Sequence, residues 1–85
     1  MSLEELRKKV DEIDAKLVRL IAERIRISEK IGEEKKRQGK QIGDPERERK
    51  VLQNVRRIAR DKKISKEDIE SIYQQIMAAS KKVQG

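Results

Sequence analysis

Eighty-five residues suffice for one domain at most, and 23 Lys+Arg against 16 Asp+Glu leave the chain at a net +7. There is no Cys and no His, which excludes disulfide scaffolds, thiolate or imidazole metal sites and every mechanism that moves protons through imidazole. Charged residues make up 46% and apolar ones 34%, with one Tyr and neither Phe nor Trp, so a core has to be built from Leu, Ile and Val.

The N-terminus enters a charged, periodic pattern directly, unlike a signal peptide. Ser2 followed by Glu5 is a capping box, and it predicts a helix from about Leu3. Leu3, Leu6, Val10, Ile13, Leu17, Leu20, Arg24, Ile27 and Ile31 then recur at steps of three and four, the seam of a helix that packs lengthwise. The pattern lasts until Gly39. Gly32 inside it costs roughly 1 kcal/mol relative to Ala without having to end the helix. The stretch Arg37 to Gly43 holds two glycines and reads as a loop, closed by Asp44-Pro45, an N-cap followed by proline at the first helical position. The second helix carries the stripe Val51, Leu52, Val55, Ile58 and Ala59 and runs to about Asp61 or Lys62. Ser65 with Asp68 caps a third helix, whose stripe is Ile69, Ile72, Tyr73, Ile76, Met77, Ser80 and Val83. The longest apolar run, Ile76-Met77-Ala78-Ala79, falls far short of the ~20 residues a membrane helix needs. These features together predict a cytoplasmic protein that forms a single domain over residues 1–85.

The second and third helices are expected to span ~18 and ~20 residues, roughly 27 and 30 Å, and laid end to end they match the first, at roughly 54 Å. Such a long helix projects beyond either partner with its Leu/Ile seam uncovered, and pairing two chains covers both seams. A small and highly charged domain commonly gains its apolar burial by oligomerising. The pattern therefore predicts an all-α fold, a three-helix chain in an intertwined homodimer.

Polar groups interrupt each apolar face. Arg24 occupies a seam position, and Ser28, Ile31 and Lys35 follow from it at steps of four, three and four, so Arg24, Ser28 and Lys35 look in nearly the same direction. Either cation alone is explained by snorkelling to the bundle edge. Arg47 and Glu48 lean toward the stripe of the second helix, where Glu48 also suits the helix N-terminus. Ser80 breaks the third stripe, where a serine often only bonds back to the preceding turn, and Gln84 lies one turn on. Taken together these local explanations weaken, because a buried cation costs several kcal/mol unless it finds counter-charge. Glu48 cannot neutralise Arg24, Lys35 and Arg47 at once. If the three stripes meet, the missing anion is a ligand, and several converging cations fit a small molecule with more than one carboxylate.

Over essentially its full length the chain resembles the all-helical chorismate mutases of the AroQ class. The resemblance is carried by Leu6-Arg7-Lys8-Lys9-Val10-Asp11-Glu12-Ile13-Asp14, by Ala22-Glu23-Arg24, by Lys35 and, most specifically, by Asp44-Pro45-Glu46-Arg47-Glu48-Arg49. It implies an intertwined dimer of three-helix chains, without metal or cofactor, that rearranges chorismate to prephenate on the way to phenylalanine and tyrosine. Carried over by position, the family's substrate-binding arginines fall on Arg7, Arg24 and Arg47, its loop-side lysine on Lys35, and its hydroxyl-binding acidic pair on Asp44 and Glu48. Its third-helix serine falls on Ser80, and the glutamine beside the ether oxygen on Gln84. Lys35 and Gln84 are thereby the catalytic pair. In the family the arginine matching Arg7 comes from the other chain, and geometry asks for the same, since Arg7 and Arg24 lie ~25 Å apart along one helix. Gln84 is followed only by Gly85, and a terminal turn frays, so this side chain is expected to order with substrate.

Two other functions fit part of the pattern. An isochorismate pyruvate-lyase shares the fold and most of the cationic pocket. A basic helical nucleic-acid-binding protein would suit the net charge, but the Lys and Arg are spread over all three helices and a single Tyr offers almost no stacking platform. Neither nucleic acid nor membrane is an expected partner.

Overall fold

The computed structural model describes residues 1–85 as three helices and no strands: α1 (Leu3–Gln38), α2 (Pro45–Asp61) and α3 (Lys66–Gln84). Each start is set by the expected cap. The Ser2 hydroxyl accepts from the Glu5 backbone N–H at 3.1 Å, Asp44 Oδ1 from that of Arg47 at 3.1 Å, and the Ser65 hydroxyl from that of Asp68 at 3.1 Å. At Ser2 the box closes differently from expectation. The hydroxyl also donates to Glu5 Oε1, so the carboxylate engages the serine side chain.

α1 runs through Arg37 and Gln38, two residues past the expected start of the loop, and stops where Gly39 adopts φ 68°. With that left-handed turn the Lys40 N–H reaches the Lys35 carbonyl at 2.8 Å and the Gly39 N–H that of Lys36 at 3.2 Å. Carbonyls left open by the ending helix are thus satisfied, and a glycine makes the turn without steric cost. α2 ends at Asp61, and the left-handed residue after its Lys62 cap is a non-glycine, Lys63 at φ 60°.

α3 lies between the other two helices. It runs beside the C-terminal half of α1 in the same direction, with Tyr73 and Ser80 near Arg24 and Gln84 near Gly32 and Lys35. α2 returns against it as the other arm of a hairpin, pinned by an Arg56–Glu70 ion pair of 2.6 Å. α1 and α2 do not pack on each other. The molecule measures 55 × 23 × 15 Å, the length of one 36-residue helix by about three interaxial spacings of 8–10 Å.

Three helices laid side by side have almost no inside. Only five residues are buried, and the apolar ones among their side chains are Val55 and Ala59. The Leu/Ile seam of α1 is not covered within the chain: Leu3, Leu6, Val10, Ile13, Leu17 and Leu20 keep between 45% and 61% of their surface exposed. α1 meets α3 through a different stripe. Arg24, Ser28, Gly32 and Lys35, at steps of four, four and three, are shielded, whereas Ile27 and Ile31 are exposed at 53% and 44%. At Ser28 and Gly32 the reason is size, because small residues let two helix backbones approach closely where branched ones hold them apart, while Arg24 and Lys35 reach across to Ser80 and Gln84. No helix is long and apolar enough to cross a membrane.

Candidate active site

The gap left because α1 and α2 do not touch is a cleft of about 370 Å³ floored by α3. α1 supplies Arg24, Ile27, Ser28, Ile31 and Lys35 to its wall, the connecting loop Ile42 and Asp44, α2 Arg47, Glu48 and Val51, and α3 Met77, Ser80, Lys81 and Gln84. Seven of the eight residues singled out from the sequence therefore meet in one place. Arg7 does not join them. It is exposed on the uncovered half of α1, about 25 Å along the helix from Arg24.

Periodicity delivers the α1 residues, since 24, 28 and 35 are separated by whole turns. The Arg24 guanidinium donates to the hydroxyl of Ser80 and lies 5.9 Å from the centre of the Tyr73 ring, within cation–π range. Ser80, one of the two buried polar side chains, thus receives a cation from α1. Lys35 is held at the opposite end. Its ammonium donates to the Ile42 carbonyl at 2.7 Å and to Gln84 Oε1 at 3.1 Å, so one charge ties the loop, the end of α1 and the last turn of α3 together. The turn expected to fray is helical through Gln84.

These bonds leave a defined set of unused donors. An ammonium has three N–H groups and an amide two, so Lys35 retains one beyond its two protein partners. With Gln84 Oε1 occupied as an acceptor, Gln84 Nε2 is the donor left over. Asp44 spends Oδ1 on the α2 cap, and its other oxygen has no partner in the chain. Of the four cations on the wall, Arg24, Lys35, Arg47 and Lys81, none forms an ion pair; the ion pairs of the chain are Arg37–Glu34 and Arg56–Glu70. Four positive groups face two carboxylates across a half-enclosed space, a surplus of two charges that matches a dianion.

Lys81 escaped the sequence reading. It stands one position past Ser80, at the edge of the α3 stripe, where a charge run with Lys82 reads as a solvated face. The Ile42 carbonyl was equally invisible, because no backbone acceptor announces itself by residue type. A second concavity, lined by Gln53, Arg56, Arg57, Arg60, Ile64 and Lys66, lies at the far end of the hairpin. It holds no carboxylate and no partly buried donor other than Arg56, which Glu70 already engages.

Comparison with known proteins identifies the family and the fold. The family model of chorismate mutase type II matches residues 6–85. A chorismate mutase of Methanocaldococcus jannaschii is 35% identical over 82 residues, covering 96% of this chain and 83% of the relative. A bifunctional chorismate mutase/prephenate dehydratase of Aquifex aeolicus is 35% identical over 80 residues, 91% of this chain but 22% of that much longer protein. Among solved structures, a conserved hypothetical protein from Pyrococcus furiosus superposes with a TM-score of 0.79 at 34% identity, covering 98% of this chain and 95% of the other.

Proposed function

Since the chain belongs to the chorismate mutase type II family and has chorismate mutase activity, we propose that the cleft between α1 and α2 is where chorismate binds and rearranges to prephenate. The observation that carries this reading is the convergence of Arg24, Lys35 and Arg47 on one cleft, none of them ion-paired and all sharing only Asp44 and Glu48 as counter-charge. A rearrangement of this kind breaks a C–O bond while a C–C bond forms, with no nucleophile and no obligatory proton transfer. The protein has to hold the substrate in a chair and stabilise the negative charge that gathers on the ether oxygen.

In this assignment Arg24 and Arg47 orient the two carboxylates, and Glu48 accepts from the ring hydroxyl, with Asp44 beside it. Ser80, engaged by Arg24, fixes that guanidinium. The remaining Lys35 N–H and Gln84 Nε2 donate to the ether oxygen. Both are charge-complementary to the transition state more than to the ground state, which is the condition for raising kcat. A low-end enzymatic acceleration of ~8 kcal/mol is largely met by two donors preorganised by their own hydrogen bonds, at ~3 kcal/mol each, together with the orienting arginines.

The second layer is a second copy. An uncovered Leu/Ile seam some 20 residues long is far more apolar surface than a stable monomer leaves exposed. An antiparallel α1 from a partner covers that seam and carries Arg7 toward the cleft.

The test supplies purified protein with chorismate and follows prephenate, and with isochorismate and follows salicylate plus pyruvate. Prephenate is expected. Lys35→Ala should lower kcat/KM by ~10²-fold with helix content retained. Lyase products alone, salt-sensitive nucleic-acid binding without turnover, or a near-normal rate in Lys35→Ala would each overturn the assignment.

A further inference from the structure

Gly32 stands inside a 36-residue helix, where glycine is a poor helix former, and it does not itself line the cleft. Its backbone runs directly under the last turn of α3. A Cβ built there would lie 2.7 Å from the Gln84 Cα, 2.8 Å from the Gln84 carbonyl oxygen and 3.0 Å from the Gln84 Cβ. Two of those three atoms are backbone, so no side-chain rotation relieves the clash. The other glycines differ. Gly43 would meet only the flexible end of Lys81 at 3.7 Å, and Gly39 nothing within 4 Å.

We propose that Gly32 is a positioning residue for Gln84: the missing side chain lets α3 seat its last turn on α1, which sets where the Gln84 amide points. The inference rests on the reading of Gln84 as a donor to the reacting oxygen. Its logic is geometric. Gln84 Oε1 is fixed by Lys35 at 3.1 Å, one turn beyond Gly32 on the same face of α1, so the amide is held at two places, by a hydrogen bond at its tip and by backbone contact at its root. Restoring ordinary contact, near 3.4 Å, around a methyl at position 32 displaces the root by roughly 0.7 Å, and a displacement of about 1 Å at a reacting group can cost 10²-fold in rate. Alanine is the better helix former, so Gly32→Ala does not unfold α1, and the effect appears at α3.

Three variants separate this from a general structural role: Gly32→Ala, Gln84→Ala and the double variant, each assayed for chorismate turnover. Expected is a kcat lower by ~10-fold or more in Gly32→Ala with KM changed less than ~3-fold. In the Gln84→Ala background, where no amide remains to misplace, the same change should cost less than ~2-fold. Amide hydrogen exchange of Gly32→Ala should accelerate at residues 81–85 and stay unchanged in α2. A normal kcat in Gly32→Ala, an equal loss in both backgrounds, or lost protection throughout the chain would overturn the proposal while leaving Gln84 as donor. A fully active Gln84→Ala would instead remove the donor assignment, and Gly32 with it.

Discussion

A neutral amide and a carboxylic acid both donate a hydrogen bond, but only the acid can lose the ability. If Gln84 donates to the ether oxygen as proposed, the donor pair is independent of its protonation, and the wild-type rate should show no rise confined to acid pH. Gln84→Glu converts the position into a group that donates only when protonated. An ordinary Glu titrates near ~4.3, so kcat/KM of the variant should be greatest at the acid end and fall as pH rises through that range, because the ionised carboxylate offers only lone pairs to an oxygen gaining negative charge. Rate measurements from about pH 4 to pH 8 check this, and parallel profiles for the two proteins would mean that another group faces the ether oxygen. At this scale the types and the α1 spacing of the cleft residues were legible in the sequence: Arg24, Ser28 and Lys35 do share a direction, and Arg47, Glu48, Ser80 and Gln84 do meet them. Lys81 was not, since a lysine next to another lysine carries no mark of which one faces a cleft.

The elements are governed by short-range chemistry, and they were the most legible part. Three caps predicted from Ser2, Asp44 and Ser65 hold the three helix starts, because a cap hydrogen bond spans three residues and needs nothing from the rest of the fold. Asp44 serves twice, as cap of α2 and as a wall of the cleft, so a substitution there confounds stability with binding. Ser65 separates them. It caps α3 about 22 Å along the helix from Ser80, and Ser65→Ala should cost ~1 kcal/mol of stability, visible as a Tm lower by roughly 4–8 °C, with kcat at 25 °C unchanged. A thermal melt and a turnover assay on the same sample test both halves, and a fall in kcat would show that the two ends of the hairpin are coupled. Less legible was which face of α1 packs on α3. The pattern of Leu and Ile points to Ile27 and Ile31, yet the shielded stripe is Arg24, Ser28, Gly32 and Lys35, since hydrophobic periodicity identifies a face that seeks cover and not the neighbour that covers it.

For the whole molecule the governing fact is that a layer one helix thick cannot bury a seam running the length of its longest helix. If a second copy supplies the missing layer and lends Arg7 to the neighbouring cleft, two inactive variants should complement. Arg7→Ala and Arg24→Ala homodimers each lack a cation in both sites, whereas a mixed dimer has one site with both arginines and one with neither. Equal amounts unfolded and refolded together should recover roughly a quarter of wild-type activity, half the dimers being mixed and each keeping one of two sites. Activity no higher than the sum of the parents, or a monomer in sedimentation that retains full turnover, would exclude a shared site. What the amino-acid order determined by itself was everything that depends on neighbours within about one helical turn: three helices, their caps, and the inventory of cations exceeding their counter-charges. Only the tertiary structure decided that α1 and α2 stand apart to open the cleft, that Lys35 gathers Ile42 and Gln84, and that Gly32 lies under the Gln84 backbone. Those facts rest on how the helices and the loop between them are placed in space, in part through contacts as distant in the chain as the 49 positions between Lys35 and Gln84, and they leave no local periodic trace.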